Sequence, residues 1–329
     1  MSDLSARPVR VRRAGGTDRA LPRTWIIVLG FFLAGLIGLT AFFYPLLQST
    51  TTPVVNSGPA LINPVTIAGP TKPFTVLLLG SDDDSKFVTD HYNTQSMILV
   101  RVDPSAKAVT MMSIPRDLWV PMPGGGMGKI STAFQNGGVP GAIAVVQSNF
   151  HVHIDDYVWI GLKGLIKLID SMGGVDLVVT NPVLDDFYPA DIETSSPYGY
   201  YRVALMPGPV HLDGVHALQY VRSRHGDLRG DFARSERQQE LLLAIKTEAK
   251  HLNLTDLPDL ASAMNGEVKT SISLQRMRSL FSVLDEYDGT NVQRVILGPP
   301  YTSEGWAAGQ SVVFPNWGAI LPVVRQSYP

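Results

Sequence analysis

Hydrophobic and polar positions divide the chain into three regimes. From Trp25 to Leu47 it reads WIIVLGFFLAGLIGLTAFFYPLL, without a charged residue. As a helix rising about 1.5 Å per residue, this run extends roughly 35 Å, enough to cross a bilayer with some tilt. Residues 49–73 follow, with Pro53, Pro59, Pro64, Pro70 and Pro73 set among Ser, Thr and Gly. That composition predicts an extended tether. From Phe74 onward short apolar runs alternate with helical patterns. Phe74–Gly80 (FTVLLLG) is apolar on both faces and predicts a buried central strand. Ser96–Val102 and Val109–Ile114 flank the turn-forming DPSAK and predict a hairpin. Helices are expected over Val139–Asn149, Leu162–Ser171, Gly214–Tyr220 and Glu236–Leu252, and strands over Val175–Val179 and Val292–Leu297. The mixture predicts an α/β fold, a sheet covered by helices on both faces.

Charge then orients the chain. Residues 1–23 carry Arg7, Arg10, Arg12, Arg13, Arg19 and Arg23 against Asp3 and Asp18, whereas the next charge after the apolar run is Lys72. The positive-inside rule places the N-terminus in the cytoplasm. The run is too long for a signal-peptide core, and no small-residue cleavage site follows it directly, so it is read as an uncleaved anchor. The expected organisation is a basic cytoplasmic tail (1–23), a transmembrane anchor (24–48), a tether (49–73) and an extracytoplasmic domain (74–329). With a formal net charge of -2, the chain has no generally basic surface for nucleic acid. It has no cysteine, which excludes disulfides and thiol chemistry. The closing stretch, NVQRVILGPP through PNWGAILPVVRQ, shows no break in composition and is kept in the same domain.

Against that acidic background, Tyr220–Gln239 reads YVRSRHGDLRGDFARSERQQ and gathers Arg222, Arg224, Arg229, Arg234 and Arg237. In the helix that follows, Leu241, Leu242, Ile245 and Ala249 form an apolar face, and Arg234 and Gln238 continue its stripe. Ser235 and Gln238 have the spacing of a capping box, which would explain the glutamine but not the arginine. A guanidinium facing inward near a helix N-terminus calls for an anion. Arg222 and Arg224 occupy alternate positions and would share one face of an extended segment. A salt-bridged lattice with Asp227, Asp231 and Glu236 is the competing reading. The excess of guanidiniums, with their fork of donors, favours a phosphate-binding pocket.

Other fragments add to this. Ser113–Asp117 (SIPRD) ends an apolar strand with Arg116 beside a carboxylate. Lys129 follows GGGMGKIS, which departs from a P-loop because Pro123 stands at the first glycine position and Ile130 after the lysine; it is read as a flexible surface loop with one basic contact. Asp82, Asp83 and Asp84 follow the central strand. Clustered carboxylates at a strand end can hold Mg²⁺ beside phosphates. For Asp83 and Asp84 a solvated turn is the better reading, and for Asp82 both stay open. His151 and His153, in a strand-like alternation, are a weak zinc motif. No HExxH or GxSxG is present.

Taken together, TVLLLGSD, MMSIPRD, GKISTAFQNGG, LIDSMGGVDL, HLDGVHALQYVRSRHGD and GDFARSERQQELL resemble, in order, the LytR-CpsA-Psr family of cell-envelope proteins over roughly residues 74–250. The resemblance implies a three-layer α-β-α sandwich with a mixed central sheet and a hydrophobic cleft for a polyprenyl chain. It also implies a Mg²⁺-dependent phosphotransferase that moves a glycopolymer from its polyprenyl-diphosphate carrier to peptidoglycan. By position, Arg116, Lys129, Arg222, Arg224, Arg234 and Gln238 match the family's diphosphate-binding residues, and Asp82 a magnesium ligand. Asp82 and Arg116 are thereby the expected catalytic residues. One departure stands out: where the family carries Arg-x-Asp before the second strand, this chain has Asn93 and Gln95 (HYNTQSMIL). Asp83, Asp84, Asp90 or Gln95 would then complete the metal site, or metal binding is weak. Loss of catalysis would leave a polyprenyl-diphosphate-binding scaffold or regulator, and water as acceptor would make a hydrolase.

The topology has a direct test. Protease added to intact spheroplasts is expected to digest the chain beyond residue 48 and to spare an N-terminal tag; digestion of the tag alone would reverse the orientation.

Overall fold

A computed structural model describes residues 72–81, 93–190, 198–224, 230–248, 266–272 and 291–329. The expected anchor and most of the tether lie outside the described residues, as do Asp82, Asp83, Asp84, Asp90, Asp227, Arg229 and Ala249. Among the described residues no helix is long and apolar enough to cross a membrane.

The first strands are β1 (Phe74–Ser81), β2 (Thr94–Asp103) and β3 (Ala108–Ser113), then the short pair β4 (Trp119–Pro121) and β5 (Met127–Lys129). Helix α1 (Thr132–Phe150), β6 (Asp156–Ile160) and α2 (Leu162–Ser171) follow, and then β7 (Val175–Val179), β8 (Val183–Pro189), β9 (Tyr200–Leu205) and β10 (Gly208–Leu212). Next come α3 (Gly214–Arg222) and α4 (Asp231–Glu248), and finally β11 (Val268–Thr270), β12 (Val292–Ile296), β13 (Thr302–Ala307), β14 (Gln310–Pro315) and α5 (Trp317–Ser327).

A six-stranded sheet in the order β11-β6-β1-β2-β3-β12 forms the centre. It is mixed: β1 runs antiparallel to β2 and parallel to β6, and β12 joins β3 in parallel. The uninterrupted apolar run of β1 is explained by burial on both sides. Phe74 and Val76 join Ile98, Val100 and Met111 in one core, while Leu77 and Leu79 join Leu99 and Met112 in the other. Antiparallel register sets Leu77 opposite Leu99, so like faces coincide. Helices α2, α3 and α4 cover the first face through Leu168, Ile169, Leu218, Leu241 and Ile245. Helices α1 and α5 cover the second through Val145, Phe150, Ile320 and Val324.

The expected hairpin of β2 and β3 forms, and α2 and β7 take their expected bounds. Helix α1 begins before Val139, but Gly138 at φ 58° breaks it ahead of Pro140, so Val139 starts its second segment. His151 ends that helix in the left-handed region, its N–H on the Gln147 carbonyl, so it caps a helix rather than joining a strand. Arg222 and Arg224 do not share an extended segment. The Asp213 carboxylate caps α3 by accepting the His216 N–H, and the helix then runs through Arg222. Helix α4 starts at Asp231, with the Ser235 hydroxyl bonded to the Asp231 carbonyl inside its first turn. Gln238 is therefore not part of a capping box. The glycine-rich loop lies at the surface as expected, as the exposed turn that joins the β4–β5 hairpin. The closing stretch supplies the edge strand β12, the β13–β14 hairpin and α5, where Trp317 packs edge-on against Phe150 at 5.3 Å.

Helices α2 and α3 meet at Gly214, where a Cβ would stand 2.3 Å from the Ile166 carbonyl oxygen. Backbone this close cannot yield as a flexible side chain would. Gly214→Ala is expected to destabilise the fold by about 1–3 kcal/mol, read as a lowered denaturation midpoint.

Candidate functional site

Between the first sheet face and α2, α3 and α4 lies a cleft of about 910 Å³, counting the part open to solvent. Its interior is apolar, lined by Leu78, Ile98, Leu162, Leu165, Leu241 and Ile245 among others. Its polar wall gathers Ser81 from the end of β1, Gln95 and Ser96 from the start of β2, Arg222 from the end of α3, and Arg234 and Gln238 from α4. The stripe read from the sequence of α4 thus faces this cleft, with its arginine and glutamine leading into its leucines.

Arg234 is 4% exposed. Its pKa is lowered to about 9, chiefly by burial, with Asp231 and Asp117 opposing that shift and Arg224 and Arg116 adding to it. It keeps its charge at neutral pH. Its Nη2 lies 3.0 Å from Asp231 of the same helix, while its Nε is buried without a hydrogen-bond partner. Asp231 also stands 3.6 Å from the Arg224 guanidinium. The salt-bridge reading of the cluster is realised at Asp231, and it leaves donors over.

Gln95 organises the rest of the mouth. Its Oε1 accepts an N–H from Arg116 Nη1 and another from Arg224 Nη2 at 3.2 Å. Gln238 accepts the Ser96 hydroxyl at 2.9 Å and donates to the Val221 carbonyl at 3.4 Å. The Arg222 guanidinium lies over the Tyr188 ring, 5.8 Å from its centroid. Lys129 stands one step back: its Nζ is 2.9 Å from Asp117, the neighbour of Arg116. The backbone fixes this corner, since Ser131 N–H donates to the Arg116 carbonyl at 3.1 Å and Val313 N–H to the Asp117 carbonyl at 2.9 Å. The closing stretch, whose role the sequence does not show, thereby braces the site.

Arg116, Arg222, Arg224, Arg234, Gln238 and Gln95 are brought together, and Lys129 joins them through Asp117. Arg237 is turned away: it is buried, donates to the Ser223 carbonyl and stacks over Tyr220 at 5.9 Å. The reading of the sequence missed Ser81 and Ser96. Ser81 is 2% exposed, and its hydroxyl has no hydrogen-bond partner. Its one signal is its place directly after the apolar strand. Among the described residues no group of three or more His, Asp or Glu side chains is placed to hold a metal ion. The described donor set suits an anion; by itself it does not suit Mg²⁺.

Residues 50–314 match the sequence profile of the LytR_cpsA_psr family. Biofilm regulatory protein A of Streptococcus mutans serotype c is 35% identical over 213 residues, 62% of this chain and 51% of that protein. The polyisoprenyl-teichoic acid–peptidoglycan teichoic acid transferase TagV of Bacillus subtilis (strain 168) is 32% identical over 209 residues, with 62% and 51% covered. The chain thus spans about half the length of these relatives. Among solved structures, TagT bound to LI-WTA superposes with a TM-score of 0.61 at 25% identity, covering 78% of this chain and 89% of that one.

If the arginines hold a diphosphate, each of Arg222, Arg224 and Arg234 changed to Ala removes a charge-assisted contact of about 1.5–3 kcal/mol, roughly tenfold or more in affinity. Calorimetric titration with a polyprenyl diphosphate measures this. An unchanged affinity in the triple variant would reduce the cluster to a structural lattice.

Proposed function

Because the chain belongs to the LytR-CpsA-Psr family, we propose that it is a phosphotransferase moving a glycopolymer from a polyprenyl-diphosphate carrier to peptidoglycan outside the membrane. The observation that carries this reading is the meeting of two unlike surfaces in one cleft. Its leucine-lined interior suits an apolar tail, and Arg222 and Arg234 on its polar wall, with Arg116 and Arg224 held beside them through Gln95, suit the phosphates. A carrier with both parts fits where neither a free sugar nor a simple lipid would. In the transfer, a peptidoglycan hydroxyl attacks the phosphorus bearing the glycan, and polyprenyl phosphate leaves. Guanidiniums fixed before the reaction stabilise the charge that builds on the leaving phosphate.

The proposal includes an anchor over residues 24–48 with a cytoplasmic N-terminus. It also includes Mg²⁺ entering with the diphosphate, Asp82 being its expected carboxylate; when bound it would neutralise phosphate oxygens. A second reading, a binding scaffold or envelope regulator, is favoured by one observation. Gln95, which stands where the family is expected to have an aspartate, is engaged by arginines.

The test supplies the full-length protein with labelled lipid-linked glycopolymer and peptidoglycan. Label is expected to enter peptidoglycan, and Arg116→Ala to lower that rate by about 10²-fold or more. Soluble label would identify a hydrolase, and label that stays lipid-bound on a protein that binds it would identify a scaffold.

A further inference from the structure

The Gln95 amide offers an inference that rests on the diphosphate reading of this cleft and goes beyond it. One neutral oxygen, Gln95 Oε1, accepts N–H groups from both Arg116 and Arg224. Like-charged guanidiniums repel; Asp117 at 3.8 Å from Arg116 and Asp231 at 3.6 Å from Arg224 offset them from outside, and the group between them is the hydrogen-bond acceptor Gln95. A carboxylate there would accept from both and would also cancel one of the charges. An amide oxygen aligns the pair and cancels nothing. Beside them, Arg234 Nε is buried without a hydrogen-bond acceptor, and Arg116 Nε has none either, though it lies 3.8 Å from the Asp117 carboxylate. Burial of such donors is unfavourable until an acceptor arrives. Arg234, its pKa lowered to about 9 chiefly by burial, would have its charged form stabilised by an arriving anion.

We infer that Gln95 is a positioning residue that lets this cleft hold a diphosphate without a divalent cation. With an acid at residue 95, the paired arginines would be partly neutralised, and the balance of charge for the diphosphate would fall to a metal. Here the amide leaves that work to the guanidiniums, and any metal is a matter for transfer rather than for binding.

The experiment titrates the full-length protein, freed of lipid, with farnesyl diphosphate and separately with inorganic pyrophosphate, each in EDTA and in Mg²⁺. The wild type is expected to bind farnesyl diphosphate about equally in both buffers. Gln95→Glu, which keeps shape and acceptor, is expected to lose about tenfold or more in EDTA and to recover most of it in Mg²⁺. Gln95→Leu, which removes the acceptor, should weaken binding in both buffers. A merely structural glutamine would leave Gln95→Glu as tight as wild type, because the guanidinium contacts survive in it. That result would overturn the inference, and so would a wild type that binds only with Mg²⁺. Pyrophosphate alone binding equally well would place the recognition in the phosphates, whereas much tighter farnesyl diphosphate would include the apolar cleft; the metal-independence inferred here must hold in either case. Failure of glycan transfer with binding intact would sink the proposed enzyme and leave this inference standing.

Discussion

The structure is organised around a guanidinium held at the end of an apolar cleft. A charge taken from water costs several kcal/mol unless it is paired and hydrogen-bonded. Arg234 is almost wholly withdrawn from solvent, and Asp231, three residues back on the same helix, meets one of its nitrogens. Everything near it bears on the same problem. Gln95 keeps Arg116 and Arg224 aligned next to it, and Lys129 with Asp117 steadies Arg116 from behind. The arrangement concentrates positive charge at one end of the cleft, which is what the proposed binding of an anion there would use.

A second constraint fixes where that charge sits. Helix α4 is tied to the sheet edge by Gln239, fully buried, which donates to the Ser113 hydroxyl and accepts from Arg294. Arg294 in turn reaches the Glu236 carbonyl at 2.9 Å. Arg237 ties the same helix to Ser223, just before Arg224. Thus the arginines that the sequence sets side by side divide into two kinds. Arg237 holds the backbone in place, and Arg222, Arg224 and Arg234 are presented by the backbone so held. Partly satisfied polar networks are costly, and here the Gln239 and Arg237 bonds fix α4 while Arg234 Nε at the cleft is left without an acceptor.

How far the sequence is legible follows from this division. Period and burial decide the central strand, the β2–β3 hairpin and α2, because each is a local pattern with one solution. The inward stripe of Arg234 and Gln238 is legible for the same reason. Features set by distant partners are not. Nothing local in YVRSR says that α3 continues through Arg222 to its cap at Ser223. Nothing near Gln95 says that its amide will meet arginines that lie 21 and 129 residues away. The glycine-rich turn is exposed, as its composition suggests, but the pairing of Trp119 with Lys129 that closes it is not legible locally, since it is continued by the Ile130 N–H on the Leu118 carbonyl. The closing stretch is readable as strands and a helix only once the second sheet face exists to receive Ile320 and Val324.

The apolar interior of the cleft completes the argument. Core packing normally leaves few voids, and an unfilled apolar cavity weakens a fold by the contacts it forfeits. Leucines from three helices and the sheet are nevertheless held apart here rather than collapsed. Collapse is resisted at the α2–α3 contact, where Gly214 already brings backbone against backbone, and at α4, which the Gln239 and Arg237 bonds hold at a fixed distance from the sheet. The same bonds that keep the charged wall open to an anion therefore keep the leucine-lined interior open to a tail. A buried cation and an apolar cleft each cost stability on their own, and the proposed amphiphilic carrier would offset both at once.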